Sequence, residues 1–185
     1  MGEWLNVPEQ GSKVAGVADK RLFFALWPDS RQLETLRNTI SPIARLVEGS
    51  AVYRGNWHVT LVFVGQFPQE RVADLLTATA DIKPEPFRLR FDRLSFWQRP
   101  RIACMQAMSV PPPLEALVDE LNGVLKDFNC EPESGTYRPH ITVVRKARTF
   151  EPIVLARPLE LQWSGFELIE SVSSSGGVQY YPLKQ

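Results

Sequence analysis

The chain holds only two histidines, two cysteines and no surplus of either charge, and each shortage narrows what it can be. Lys+Arg number 21 against 21 Asp+Glu in 185 residues, so no global positive field draws it to nucleic acid or to an anionic membrane. Any polyanion it binds must be recognised locally, by a few placed groups. Cys104 and Cys130 make no C-x-x-C or comparable metal or redox spacing. Cys104, inside "RIACMQAM", reads as a small buried hydrophobe, and no disulfide between the two is expected. The N-terminal "MGEWLNVPEQGSKVAGVADK" lacks the continuous apolar run of a secretory signal. Asn6 stands where a myristoylation site wants Ser or Thr. No stretch approaches the roughly 18 apolar residues of a membrane span. A cytoplasmic, soluble, monomeric protein without a membrane partner is expected, with a flexible tail over 1–19 and one bilobal folded domain over 20–185. No Gly-rich phosphate loop or low-complexity tract is present.

What remains is ordinary for a globular fold: 44% apolar and 23% charged residues. "RLFFALWP" (21–28) reads as a buried strand closed by proline. Asp29 or Ser30 can cap the helix that follows, whose stripe is Leu33, Leu36, Ile40, Ile43 and Val47. Pro42 should kink or divide it. "HVTLVFVG" is a second strand, expected to end at Gly65, and "PQERVADLLTATA" (68–80) a shorter helix. "FRLRFDRLSFW" (87–97) alternates like a strand with one wet face, with "RIACMQAM" as its hairpin partner. "PPPLEALVDELNGVLKDF" (111–128) is the clearest helix, its prolines read as helix initiation. "HITVV" is another strand, and "LELQWSGFELIESVS" and "VQYYPLKQ" are late strands joined near "SSSGG". Consecutive strands point to an α+β fold with antiparallel pairing, and the two halves roughly echo each other.

The two histidines sit in one repeated setting. His58 is followed by Thr60 in "HVTL", and His140 by Thr142 in "HITV". Strand residues two apart share a face, so each motif places an imidazole and a hydroxyl together on an otherwise apolar strand. Val59, Leu61 and Phe63 then point the other way into a core, as do Ile141 and Val143. A single H-x-T is most simply a hydrogen-bonded histidine at a sheet surface. With 8 threonines in the chain, a threonine at both positions by chance has odds of roughly 0.2%, by template counting. Coincidence therefore explains the pair poorly.

"HVTL" and "HITV" resemble the paired H-x-T/S-x signatures of the 2H phosphoesterase superfamily. "RLFFALWPD", "YRPHITVVRK" and the closing "FELIES…YYPL" are similar to its bacterial and archaeal RNA 2′,3′-cyclic phosphodiesterase branch, once called 2′-5′ RNA ligases. The likeness spans about residues 21–183, with Val143 where such proteins often carry leucine. It implies two pseudo-symmetric lobes, each an antiparallel sheet with helices on its outer face, around a central groove where the histidine strands meet. It also implies hydrolysis of RNA 2′,3′-cyclic phosphate ends to 2′-phosphates, with His58 as acid and His140 as base. Thr60 and Thr142 would hold the phosphate oxygens, and no metal or cofactor would take part. Arg145 matches an arginine common after the second motif and is the favoured phosphate ligand of the basic cluster Arg138, Arg145, Lys146 and Arg148. Simple alternation puts Arg145 on the wrong face, so a bend or bulge is needed. Trp57 and Tyr137 read as core residues rather than base-stacking platforms. The partner implied is RNA, or an oligonucleotide, with a 2′,3′-cyclic phosphate end. Other readings stay open: 2′-5′ ligation, another cyclic or 2′-5′-linked nucleotide as substrate, or an RNA-end binding module without turnover.

Overall fold

The computed structural model describes residues 19–132, 135–175 and 177–183; the expected tail over 1–19 lies, but for Asp19, outside them. The fold is α+β with two antiparallel sheets. Nine strands are β1 (Lys20–Leu26), β2 (Ser50–Ala51), β3 (Val59–Phe67), β4 (Phe87–Trp97), β5 (Ile102–Gln106), β6 (His140–Arg145), β7 (Ile153–Trp163), β8 (Glu167–Ser174) and β9 (Gly177–Leu183). Three helices are α1 (Ser30–Ala44), α2 (Val72–Thr79) and α3 (Pro112–Asp127). The first sheet runs β3-β1-β8-β9 and the second β2-β6-β5-β4-β7. Set β2 aside and the sheets match. A histidine strand lies beside a mostly buried strand (β1 or β5), with two further strands beyond.

Local chemistry accounts for most boundaries. Asp29 begins α1 with a reciprocal capping box: its carboxylate accepts from Gln32 N at 2.8 Å while Gln32 Oε1 accepts from Asp29 N at 2.8 Å. The Gln32 amide also donates to Gln162 O at 2.7 Å, tying the helix start to β7. Pro42 does not divide α1, which runs through it and ends two residues later at Ala44. The helix stops at Ala44, so Val47 lies beyond it. Likewise Gly65 does not end β3. It takes φ +83 within the strand, where the register with β1 slips between Leu22 and Phe23, and pairing resumes to Phe67. A glycine absorbs such a bulge at little steric cost. The two-residue β2, which has no periodicity to announce it, pairs with the outer edge of β6.

The helices are exchanged between the halves. α1 follows a strand of the first sheet but packs on β6 and β7 of the second, while α3 follows β5 and packs on β3 and α2. Leu36 and Ile40 of α1 and Leu114 and Leu121 of α3 have no exposed surface and join one core with residues of both sheets. At about 1.5–3 kcal/mol for each fully buried aliphatic side chain, that shared core holds the lobes to each other as firmly as it holds each together.

Candidate active site

The histidine strands meet where the lobes join, β3 lying beside β6. Both carry the same irregularity. On β3 the register with β1 skips Leu61, between Phe24↔Val62 and Ala25↔Thr60. On β6 the register with β5 skips Val143, between Ala103↔Val144 and Cys104↔Thr142. Each bulge falls on the residue after the threonine and turns the strand by one position. Leu61 and Val62 are therefore both buried, as are Val143 and Val144.

The bulges decide what stands next to each pair. Arg145 is exposed on the side of His140 and Thr142 and donates to the Tyr180 hydroxyl of the first sheet at 3.2 Å, supplying the bend its place required. Phe63, expected in the core, is 43% exposed. Its bulge has turned it into the position that Arg145 holds on the other lobe, and it approaches Phe23 at 6.1 Å between ring centres.

The two imidazoles are held alike. His58 Nδ1 lies 2.7 Å from Asn56 O, and His140 Nδ1 lies 2.8 Å from Arg138 O. A carbonyl only accepts, so both Nδ1 atoms carry the proton and both Nε2 atoms are lone-pair acceptors in the neutral rings. The Thr60 hydroxyl donates to His58 Nε2 at 3.0 Å. Burial lowers the His58 pKa from 6.5 to about 4, opposed by the Asn56 carbonyl and helped by the positive charges of His140 and Arg145. Burial also lowers that of His140, opposed by the Arg138 carbonyl and helped by the Arg138 guanidinium. Both rings are thus neutral near pH 7 in the free protein, and a proton on His140 would further disfavour one on His58.

The surroundings differ. His58 is boxed by Phe23 at 4.9 Å, Trp27 at 5.8 Å and Tyr180 edge-on at 5.1 Å. His140 packs on Trp97 at 4.3 Å, and the Arg138 guanidinium covers that indole at 4.5 Å. These aromatic walls escape a reading by motif. Their signal was the alternation within "RLFFALW", where Leu22, Phe24 and Leu26 enter the main core while Phe23 and Ala25 form a second small cluster with Ile169, Trp27 and Tyr180. Of the expected basic cluster, Arg138 and Arg145 flank the groove, whereas Arg148 pairs with Glu48 at 3.2 Å on the surface. Tyr137 joins the core edge and donates to Thr60 O at 3.0 Å, a second hydrogen bond between the lobes. Trp57 is buried in the core. Cys104 is fully buried, its thiol pushed up to about 12 chiefly by burial, and the cysteines are not bridged.

A cavity of about 540 Å³ opens beside His140 and Thr60. Phe63 and Trp97 line it from the strands, Tyr137 from the segment before β6, and Asp119 and Asn122 from α3, enough room for a nucleoside-sized group. Among the described residues, no three His, Cys, Asp or Glu side chains lie close enough to share a metal ion, and no helix is long and apolar enough to cross a membrane.

Comparison with known proteins agrees with this architecture. The family described as LigT-like phosphoesterase matches residues 26–104, which include the first histidine motif. An RNA 2′,3′-cyclic phosphodiesterase of Escherichia coli is 27% identical over 170 residues, covering 90% of this chain and 95% of that protein. One of Aeropyrum pernix with the same name is 27% identical over 117 residues, 62% of this chain and 65% of that protein. The crystal structure of E. coli LigT complexed with 3′-AMP superposes with a TM-score of 0.73 at 26% identity, over 90% of this chain and 96% of that one.

Proposed function

Because the chain belongs to the LigT-like phosphoesterases of the 2H family, we propose that it opens 2′,3′-cyclic phosphodiester ends of RNA to 2′-phosphomonoesters, using His58 and His140 and no metal. The observation that carries this is the matched presentation of the two imidazoles. Each has Nδ1–H anchored on the carbonyl two residues earlier, which leaves Nε2 to exchange a proton in the groove.

Opening the ring is an in-line displacement. A water oxygen attacks phosphorus, the bond from phosphorus to O3′ breaks, one ring takes the water proton and the other gives a proton to O3′. The product carries the phosphate on O2′ and a free 3′-hydroxyl. The family resemblance makes His140 the base and His58 the acid. The free rings are neutral, so a proton must be taken up, and the negative charge of the cyclic phosphate favours an imidazolium beside it. Once His58 is protonated, its Nε2–H donates. The Thr60 hydroxyl then accepts from the ring and can turn its own hydrogen to a non-bridging oxygen. Thr142 and Arg145 face the same charge from the other lobe, the kind of preorganised donor set that lowers such barriers. Phe63, Trp97 and Tyr137 offer apolar faces to the nucleoside. The donor set supports a metal-free course, since among the described residues no three His, Cys, Asp or Glu side chains lie close enough to share a divalent ion.

The test is product analysis. A 2′,3′-cyclic nucleotide incubated with the protein in excess chelator should give the 2′-phosphate, resolved from the 3′ isomer by chromatography. Formation of the 3′-phosphate, or abolition by chelator with rescue by a divalent ion, would overturn the scheme.

A further inference from the structure

Behind the turn that carries His58 lies a second cavity, of about 390 Å³, between the C-terminal half of α1 and residues 51–57. Arg37 of α1, Arg45 at its C-cap and Arg54 of the turn line it, with Tyr53 and Trp57, and no carboxylate does. Arg45 and Arg54 make no ion pair among the described residues, and Arg37 makes only an exposed contact to Glu34 at 3.4 Å. Three arginines lining one cavity, two of them without a counter-charge, stand out in a chain of zero formal net charge. Such a gathering costs mutual repulsion that a bound anion would relieve. Trp57 is 5% exposed, and its buried indole Nε1 has no hydrogen-bond partner among the described residues.

Tyr53 is 67% exposed at the rim. Its ring lies over Gly55, where a Cβ would come within 2.6 Å of Tyr53 Cε1, so the glycine lets the ring settle there. An open aromatic ring beside unpaired arginines offers a base a stacking face and a phosphate its counter-charge. Arg54 and His58 are four positions apart, so their Cα atoms are at most about 14 Å apart, within the reach of a few nucleotides. The segment Tyr53–Trp57, which lines this cavity, leads directly into His58, Asn56 anchoring the ring through its carbonyl.

We propose that this cavity binds a backbone phosphate of the RNA strand leading away from the reacting end, with a neighbouring base stacked on Tyr53. The subsite rests on the reading of the protein as an enzyme of RNA ends, and it makes strand length, not only the terminal nucleotide, a determinant of recognition.

The experiment compares a 2′,3′-cyclic mononucleotide with an oligoribonucleotide of about six residues bearing the same cyclic end, using wild type and Arg37→Gln/Arg45→Gln. One substitution is on α1 and the other at its C-cap, both outside the Tyr53–His58 segment. The oligonucleotide should have the higher kcat/KM in wild type, and the variant should lose about five- to tenfold on it while the mononucleotide rate holds within twofold. Fluorescence anisotropy with a labelled oligoribonucleotide should show the slope of log K against log salt become shallower by about 0.7 per lost phosphate contact. Tyr53→Ala should weaken the oligonucleotide alone. Equal losses on both substrates, or unchanged oligonucleotide affinity and salt slope in the variant, would overturn the subsite. Absence of turnover on either substrate would overturn the proposed reaction instead, and the anisotropy arm would still report on the cavity.

Discussion

The two sides of the groove carry the same motif in unlike surroundings. On the first sheet His58 sits among Phe23, Trp27 and Tyr180, and the place after its bulge is taken by Phe63. On the second sheet His140 has one aromatic neighbour, Trp97, covered by the Arg138 guanidinium, with Arg145 in the place that corresponds to Phe63. The anchoring carbonyl is the same on both sides; charge is not. The two sheets thus present two imidazoles anchored alike, and in the proposed reaction the unlike walls are what can assign them different work. Arg145 further joins the halves, since it reaches Tyr180 across the groove and its charge bears on His58.

The most severe way to break the comparison is to delete either ring. His58→Ala and His140→Ala should each lower turnover of a 2′,3′-cyclic phosphate by about 10²–10⁴, the usual worth of one positioned acid or base. Both should keep the native circular-dichroism spectrum. A variant with full activity would remove its histidine from the reaction. A gentler cut removes the hydroxyls: Thr60→Ala and Thr142→Ala should cost about 1.5–3 kcal/mol each in transition-state stabilisation, read from kcat/KM, as for a hydrogen bond to charge. Equal losses at the two positions would mean that the hydroxyl bond to His58 confers no distinction on Thr60.

The pH dependence sharpens the asymmetry. The proposed reaction needs one neutral and one protonated ring, and burial lowers both pKa values in the free protein, that of His58 to about 4. The bell of kcat/KM should therefore lie on the acid side of pH 6.5. That of kcat should move upward, because the bound phosphate favours imidazolium. A kcat/KM optimum above pH 7 would contradict the neutral pair. The same burial has a stability cost. A ring whose folded pKa is below its unfolded one stabilises the fold fully above about pH 6.5 and loses that contribution as pH falls toward 4. Urea unfolding should show a decline on the order of 2–3 kcal/mol over that window. His58→Phe should flatten part of it, and an unchanged profile would place the ring in a wetter site than the structure gives it.

Most elements were legible in the chain because each carries a local signal: the 3.6-residue stripe of α3, the alternation of β4, the capping box of α1. Errors fell where pairing overrides periodicity. Gly65 reads as a strand end but lies within a bulge that only β1 as partner creates, and Phe63 reads as core until the bulge at Leu61 turns it outward. The basic run after the second motif reads as one cluster. In space, Arg148 leaves it for Glu48, while Arg37, Arg45 and Arg54, unremarkable along the chain, gather around a single cavity.

By itself, then, the order of residues determined that two imidazole–hydroxyl pairs ride on two apolar strands, since a strand's side chains alternate whatever it pairs with. Only the folded chain decided that the strands adjoin, that matched bulges aim Arg145 and Phe63 at the groove, and that β1 and β9 wall in His58 but not His140. Those outcomes depend on register between segments as far apart as Leu22 and Glu170, set by the packing of a shared core, and no local pattern encodes them.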